Sequence, residues 1–194
     1  MSKEDKAKFL ALEGNGSSDI EDSGIYLLME GINEDSAARV IKWILEMNIK
    51  KVAGKLPNVK ELMLMVNSPG GSVPDAFALI DIMRGSKLKV NTIGLGLIAS
   101  CGLLIFMAGE NRVLTPNTSI LSHQWSWAAW GKEHELFATV KEFDLTKERI
   151  LAHYKKYSKL NIKQINKVLL PAHDVWLSAE DALKHGLCDE IKTV

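Results

Sequence analysis

A chain of 194 residues has the length of one ordinary domain, and a hydrophobic share of 46% is ample for a core. Lysine plus arginine number 24 and aspartate plus glutamate 24, so the formal net charge is zero. The basic excess that phosphate binding favours is absent, which argues against a nucleic-acid partner, and the weak self-repulsion permits self-association.

Along the chain, the polar and charged stretch 1–24 has no apolar core of signal-peptide shape and reads as a mobile N-terminal arm with a short helix near Lys6–Glu13. The remainder, 25–194, reads as one domain. Ile25–Met29 is a buried strand, and Asn33 is placed to cap a helix whose apolar face is Ala37, Val40, Ile41, Ile44 and Leu45. Leu62–Val66 is a second strand, followed by the turn Asn67-Ser-Pro-Gly-Gly-Ser72 and a helix over Asp75–Met83 with Phe77, Ile80 and Met83 inward. Val90–Leu97 is a third strand that runs through Ala99-Ser-Cys-Gly102 into a helix over Leu103–Ala108. Short strands follow at Val113–Leu114 and Ser119–Leu121. A long helix spans Lys132 to about Tyr157, with Leu136, Val140, Phe143, Ile150 and Tyr154 on one stripe, and a shorter one covers Ile162–Leu169. Ser178 and Asp181 have capping-box spacing. Strand–helix–strand repetition predicts an α/β domain with a mostly parallel sheet and right-handed crossovers.

Neither apolar run flanking Ser100-Cys-Gly102 approaches the ~20 residues of a membrane helix. Two cysteines, Cys101 and Cys188, are too few for a disulfide framework and fit a reducing cytosol. A cytoplasmic protein with no membrane contact is expected.

Chemistry can reside in four places. Ser100 follows a strand, has small neighbours in Ala99 and Gly102, and precedes an apolar helix; a nucleophile needs such a sharp turn to expose its Oγ and to aim backbone N–H groups at a carbonyl. A serine packed in a Gly/Ala-rich core would give the same local pattern. Gly70 and Gly71 free the chain for a close approach to a ligand, or simply make a turn. His123, at a strand end, suits a general base, although the chain has five histidines. Asp174 can orient a histidine and competes for that role with Asp181 and Asp189.

Taken in order, these pieces resemble one family, the Clp protease proteolytic subunit. The matching segments are Val66-Asn-Ser-Pro-Gly-Gly-Ser72, Gly96-Leu-Ile-Ala-Ser-Cys-Gly102, Leu114-Thr-Pro-Asn-Thr-Ser-Ile120, His123-Gln124 and Asp174 to Asp189, within about residues 25–194. The resemblance implies a crotonase-like fold of repeated strand–helix units with a long protruding handle helix, here Lys132–Tyr157. It implies a serine endopeptidase with Ser100, His123 and Asp174 as the triad, backbone N–H groups of Gly71 and Cys101 as the oxyanion hole, and no metal or cofactor. It further implies protein and peptide substrates, a homo-oligomer of two stacked heptamers, and a Clp-type ATPase partner. A catalytically inert ring subunit and a crotonase-fold acyl-CoA enzyme are the alternatives on the same fold; a membrane-bound serine/lysine peptidase would need an anchor.

Two departures from the family stand out. After His123-Gln124 the family has Pro and a Gly-rich stretch, whereas this chain has Trp125-Ser-Trp-Ala-Ala-Trp130. Exposed together, three tryptophans in six residues would form a large apolar patch, so the segment is expected at an interface or as a pocket wall, with Trp125 beside the substrate. The arm, Gly/Ser-rich and acidic over Gly14–Gly24, also lacks the family's basic, Leu-rich helix.

Overall fold

The computed structural model describes residues 19–56, 58–126 and 128–193. The helix expected near Lys6–Glu13, and the arm as far as residue 18, lie outside the described residues. The last part of that segment forms a short helix, α1 (Asp19–Asp22), held to the domain by Trp43 Nε1 donating to the Glu21 carbonyl at 3.1 Å and by a Lys50–Asp22 ion pair.

The chain then alternates strand and helix: β1 (Ile25–Leu28), α2 (Glu34–Val52), β2 (Glu61–Ser68), α3 (Val73–Gly85), β3 (Lys89–Ala99) and α4 (Cys101–Met107). After two short strands, β4 (Arg112–Leu114) and β5 (Ser119–Ser122), come α5 (Glu133–Tyr157), α6 (Ile162–Val168), β6 (Val175–Leu177), α7 (Ala179–His185) and β7 (Glu190–Ile191). Strands β1, β2, β3, β4 and β7 lie side by side in that order, all parallel. β5 pairs parallel with the end of β3, and β6 pairs antiparallel with β5.

One irregularity shapes the site. Val66 pairs with Gly94, but Ser68, two residues on, pairs with Ile98, four residues on, so β3 carries extra residues opposite Asn67. Gly96 turns through φ +64 there, and the Asn67 side chain accepts from Leu97 N at 3.2 Å. The bulge re-aims the strand. Before it, Thr92–Gly94 pairs with β4; after it, Leu97–Ala99 pairs with β5.

Helix α4 sits at the centre. All seven of its residues are buried, as a helix apolar on every side must be, and it lies between α3, α5, β2 and β3. Helix α5 is its opposite. In 25 residues its buried positions are Thr146, Ile150, His153 and Tyr154, all in the second half, while Leu136, Phe137 and Val140 are exposed. Phe143, expected on the same stripe, faces inward and stacks on Trp125 with ring centroids 5.1 Å apart. In α2 the buried face is Ser36, Ala37, Val40, Trp43, Ile44 and Met47, so Leu45 points outward. No helix among the described residues is long and apolar enough to cross a membrane.

Candidate active site

Ser100 stands between the last residue of β3 and the first of α4, and it is the one non-glycine with positive φ among the described residues, at φ 53 and ψ −122. A side chain in that region is strained by about 1–3 kcal/mol and persists there only if its surroundings insist. They do: Ser100 N donates to the Leu121 carbonyl at 2.9 Å, fixing the elbow to β5, and Leu103 N donates to the Ser100 carbonyl at 3.0 Å. A serine heading a helix normally spends its hydroxyl on a free N–H of the first turn. Ser100 makes no such cap.

The glycine turn presses on this elbow. A Cβ on Gly70, whose φ is +89, would fall 2.6 Å from Ser100 Cβ and 2.7 Å from the Ala99 carbonyl oxygen. A Cβ on Gly71 would fall 2.1 Å from the Ile32 oxygen. Ile32 bonds on either side of Gly71, donating to the Gly70 carbonyl and accepting from Ser72 N, both at 2.8 Å. The backbone groups of Gly71 itself therefore face the other way, toward Cys101, whose Sγ donates to the Gly71 carbonyl at 3.2 Å. The N–H of Cys101 opens α4 and so has no acceptor within its own helix.

Cys101 is no rival nucleophile. Burial pushes its thiol pKa up, against smaller opposing hydrogen bonds from the Gly71 backbone and the Ser100 side chain. A thiol that keeps its proton is inert.

His123 follows β5. Because β3 and β5 are parallel and Ala99 pairs with Leu121, Ser100 and His123 emerge at the carboxyl ends of adjacent strands. Both line one narrow cleft of about 20 Å³. Ser122 and Gln124, on either side of His123, are tied down: Ser122 Oγ donates to the Leu169 carbonyl at 2.6 Å and Gln124 Nε2 to the Leu170 carbonyl at 2.9 Å. These anchors were not found from the sequence, and no local signal marks them.

Asp174 immediately precedes β6. Ser122 pairs with Val175, so the antiparallel register sets Asp174 opposite His123. The competing acids are occupied elsewhere. Asp181 Oδ2 accepts from Ser178 N at 3.2 Å in the α7 capping box, and Asp189 holds the Arg112 guanidinium, whose hydrogen bonds keep its carboxyl below the usual range. Ser100 and His123 thus share one cleft, and Asp174 lies next along the chain from the β5–β6 ladder, but no hydrogen bond joins Ser100 to His123 or His123 to Asp174 among the described residues.

Of the tryptophans after His123, Trp125 is half-buried against the core and lines the cleft with Ser100. Trp130 is 85% exposed in the single chain, and Trp127 lies outside the described residues.

The family model for Clp protease matches residues 15–194. The chain is 28% identical over 171 residues to ATP-dependent Clp protease proteolytic subunit 2 of Thermobifida fusca, covering 87% of this chain and 80% of that protein. It is 34% identical over 143 residues to the ATP-dependent Clp protease proteolytic subunit of Streptococcus mutans, and 38% over 141 residues to that of Streptococcus sanguinis, each covering 69% of both chains. With a family match across nearly its whole length and the strand–helix architecture that goes with it, this chain belongs to the Clp protease family.

Proposed function

We propose that the chain is a serine endopeptidase in which Ser100 is the nucleophile, His123 the general base and Asp174 the acid that orients it. One observation carries this reading: Ser100 is held in a strained elbow with its hydroxyl not used as a helix cap, in the same cleft as His123. His123 takes the Ser100 proton as Oγ attacks a peptide carbonyl. The developing oxyanion sits between the N–H groups of Gly71 and Cys101, each such donor being worth roughly 3–4 kcal/mol of barrier. His123 returns the proton to the leaving amine, and water, activated by the same imidazole, releases the acyl group from Ser100. Catalytic hydrogen bonds that are loose before substrate arrives tighten in the productive complex. The test is hydrolysis of an unstructured fluorogenic peptide by wild type and by Ser100→Ala; retained activity in the variant overturns the assignment.

The same reading includes a self-compartmentalised assembly, two stacked heptamers in the cytoplasm, fed with unfolded protein by a Clp-type ATPase. Its support is the apolar Leu136, Phe137 and Val140 left in water on the first half of α5, a face that a second copy would cover. Phe137→Glu should lower the sedimenting mass of the assembly, and a wild type that sediments as an active monomer would contradict it.

One observation favours a second reading, a ring subunit without catalysis: the three side chains are not hydrogen-bonded to one another in the isolated chain. That subunit would bind peptides and leave them intact.

A further inference from the structure

Trp125 lines three cavities around the elbow, and two of them lie on either side of its indole and Leu170. On one side is the cleft of about 20 Å³ shared by Ser100 and His123 and lined by the apolar side chains of Val73, Leu104, Ile150 and Leu170. On the other is a pocket of about 170 Å³ bounded by Phe143, Leu151 and Lys147. Trp125 and Leu170 line both. The indole is backed by the Phe143 ring at 5.1 Å and 38°, so it cannot swing toward α5 without displacing that ring. Its Nε1–H is buried with no hydrogen-bond partner, a standing cost that core packing alone would not select.

The geometry around Ser100 fixes what this partition does. In the proposed complex a carbonyl under attack by Oγ lies between the Gly71 and Cys101 N–H groups, and the side chain on its acyl side branches from the adjacent Cα, two bonds from the carbonyl carbon. Of the cavities around Trp125, the cleft lined by Ser100, His123 and Trp125 is the one that holds both the proposed nucleophile and the proposed base, and it is the space this side chain meets first. A space of about 20 Å³ takes a methyl or hydroxymethyl group and no more, since one water already needs roughly 10–15 Å³ on the same measure.

Building on the serine-peptidase reading above, we propose that Trp125 is a specificity-determining residue that restricts cleavage to bonds following small side chains, alanine above all, by walling off the larger apolar pocket behind it. Removing the indole joins the two spaces and admits leucine or phenylalanine at that position. Because an apolar pocket discriminates mainly by fit, the preference is on the order of tenfold or more in kcat/KM.

The experiment is a fluorogenic peptide series differing only in the residue before the scissile bond, alanine, leucine or phenylalanine, run on assembled wild type, Trp125→Ala and Trp125→Phe. Ratios of kcat/KM within one preparation are independent of how much of a variant folds. Wild type should prefer alanine over phenylalanine by tenfold or more, and Trp125→Ala should reverse that order. Trp125→Phe keeps a ring in the wall and loses the unpaired N–H, so it should keep the alanine preference with an equal or higher Tm. Phe143→Ala, which removes the backing, should shift the ratio in the same direction as Trp125→Ala but by less. A wild type that favours phenylalanine, or a ratio unmoved in Trp125→Ala, overturns the proposal while leaving the peptidase reading intact. If no peptide of the series is cleaved and a fluorophosphonate leaves Ser100 unlabelled, the peptidase reading fails and this proposal fails with it.

Discussion

Three serines head helices among the described residues, and two of them, Ser178 and Ser100, are built on opposite plans. Ser178, before α7, has extended backbone at φ −77 and ψ 170; its Oγ accepts from Asp181 N at 3.1 Å while Asp181 returns a bond to Ser178 N. Ser100, before α4, sits at φ 53 and caps nothing. The first arrangement satisfies orphan N–H groups and stabilises the fold. The second leaves the first turn of α4 uncapped and accepts backbone strain, in the most buried helix of the domain. In the proposed mechanism, local rules are broken where an uncapped hydroxyl and unpaired donors are needed.

The comparison can be broken most sharply by exchanging what each serine is for. Ser100→Ala should cut peptide hydrolysis by at least about a thousandfold, as loss of a nucleophile does, with little change in the denaturation midpoint. If activity survives, Ser100 is only a residue of the elbow.

A second contrast sharpens it, between a histidine at the cleft and one sealed in the core. His153, on the buried half of α5, is 6% exposed, among Phe77, Tyr154 and Tyr157, and its Nε2 has no partner. Burial, helped by nearby Arg84 and opposed by a hydrogen bond to the Leu104 backbone, lowers its pKa to about 4 from an ordinary 6.5. The unfolded chain therefore takes up a proton between pH 6.5 and 4 that the folded chain refuses. This contribution is whole above pH 6.5 and is lost on acidification through that window, about 3 kcal/mol in all. Urea unfolding of wild type and His153→Phe at pH 7.5 and 4.5 measures it; equal losses in both proteins would remove His153 from the account.

Gly70→Ala drives a methyl group toward Ser100 Cβ at a backbone angle that disfavours any side chain. It should cost about 1–3 kcal/mol by overpacking and lower activity together with stability. The smallest effect belongs to the ordinary cap. Ser178→Ala should lose about 1 kcal/mol and leave kcat/KM unchanged. An activity loss there larger than the stability loss would erase the distinction between the two serines.

How much of this could be read from the chain alone follows from the range of the forces involved. β1, β2 and β3 are apolar runs bounded by Gly, Asn, Ser and Pro, and they were legible; so were the Asn33 cap and the Ser178 capping box. β6 and β7, three and two residues long, exist because β5 and β4 offer them a ladder, and no local pattern announces them. On α2 the sequence places Ala37, Val40 and Ile44 correctly on the buried face but puts Leu45 there in place of Trp43 and Met47, whose burial depends on the packing of α1 and Tyr26 against Trp43. In the proposed site, Ser100 and His123 stand out in the sequence by their place at strand ends. The proposal of Asp174 over Asp181 and Asp189 rests on the family resemblance; in the structure Asp174 directly precedes the β6 residue that pairs with Ser122. Ser122 and Gln124 act on carbonyls 47 and 46 residues away, beyond the reach of any periodicity. The inward turn of Phe143 onto Trp125 depends likewise on the packing of α5 against the segment after β5.

The central claim is that one strained, uncapped hydroxyl is the reactive group of the molecule. Fluorophosphonate labelling of the native protein, with the adduct located by peptide mass spectrometry, tests it most directly. The account predicts one adduct, on Ser100, lost on denaturation and in His123→Ala. An adduct on another serine, or an unlabelled Ser100 in a folded protein, would contradict it.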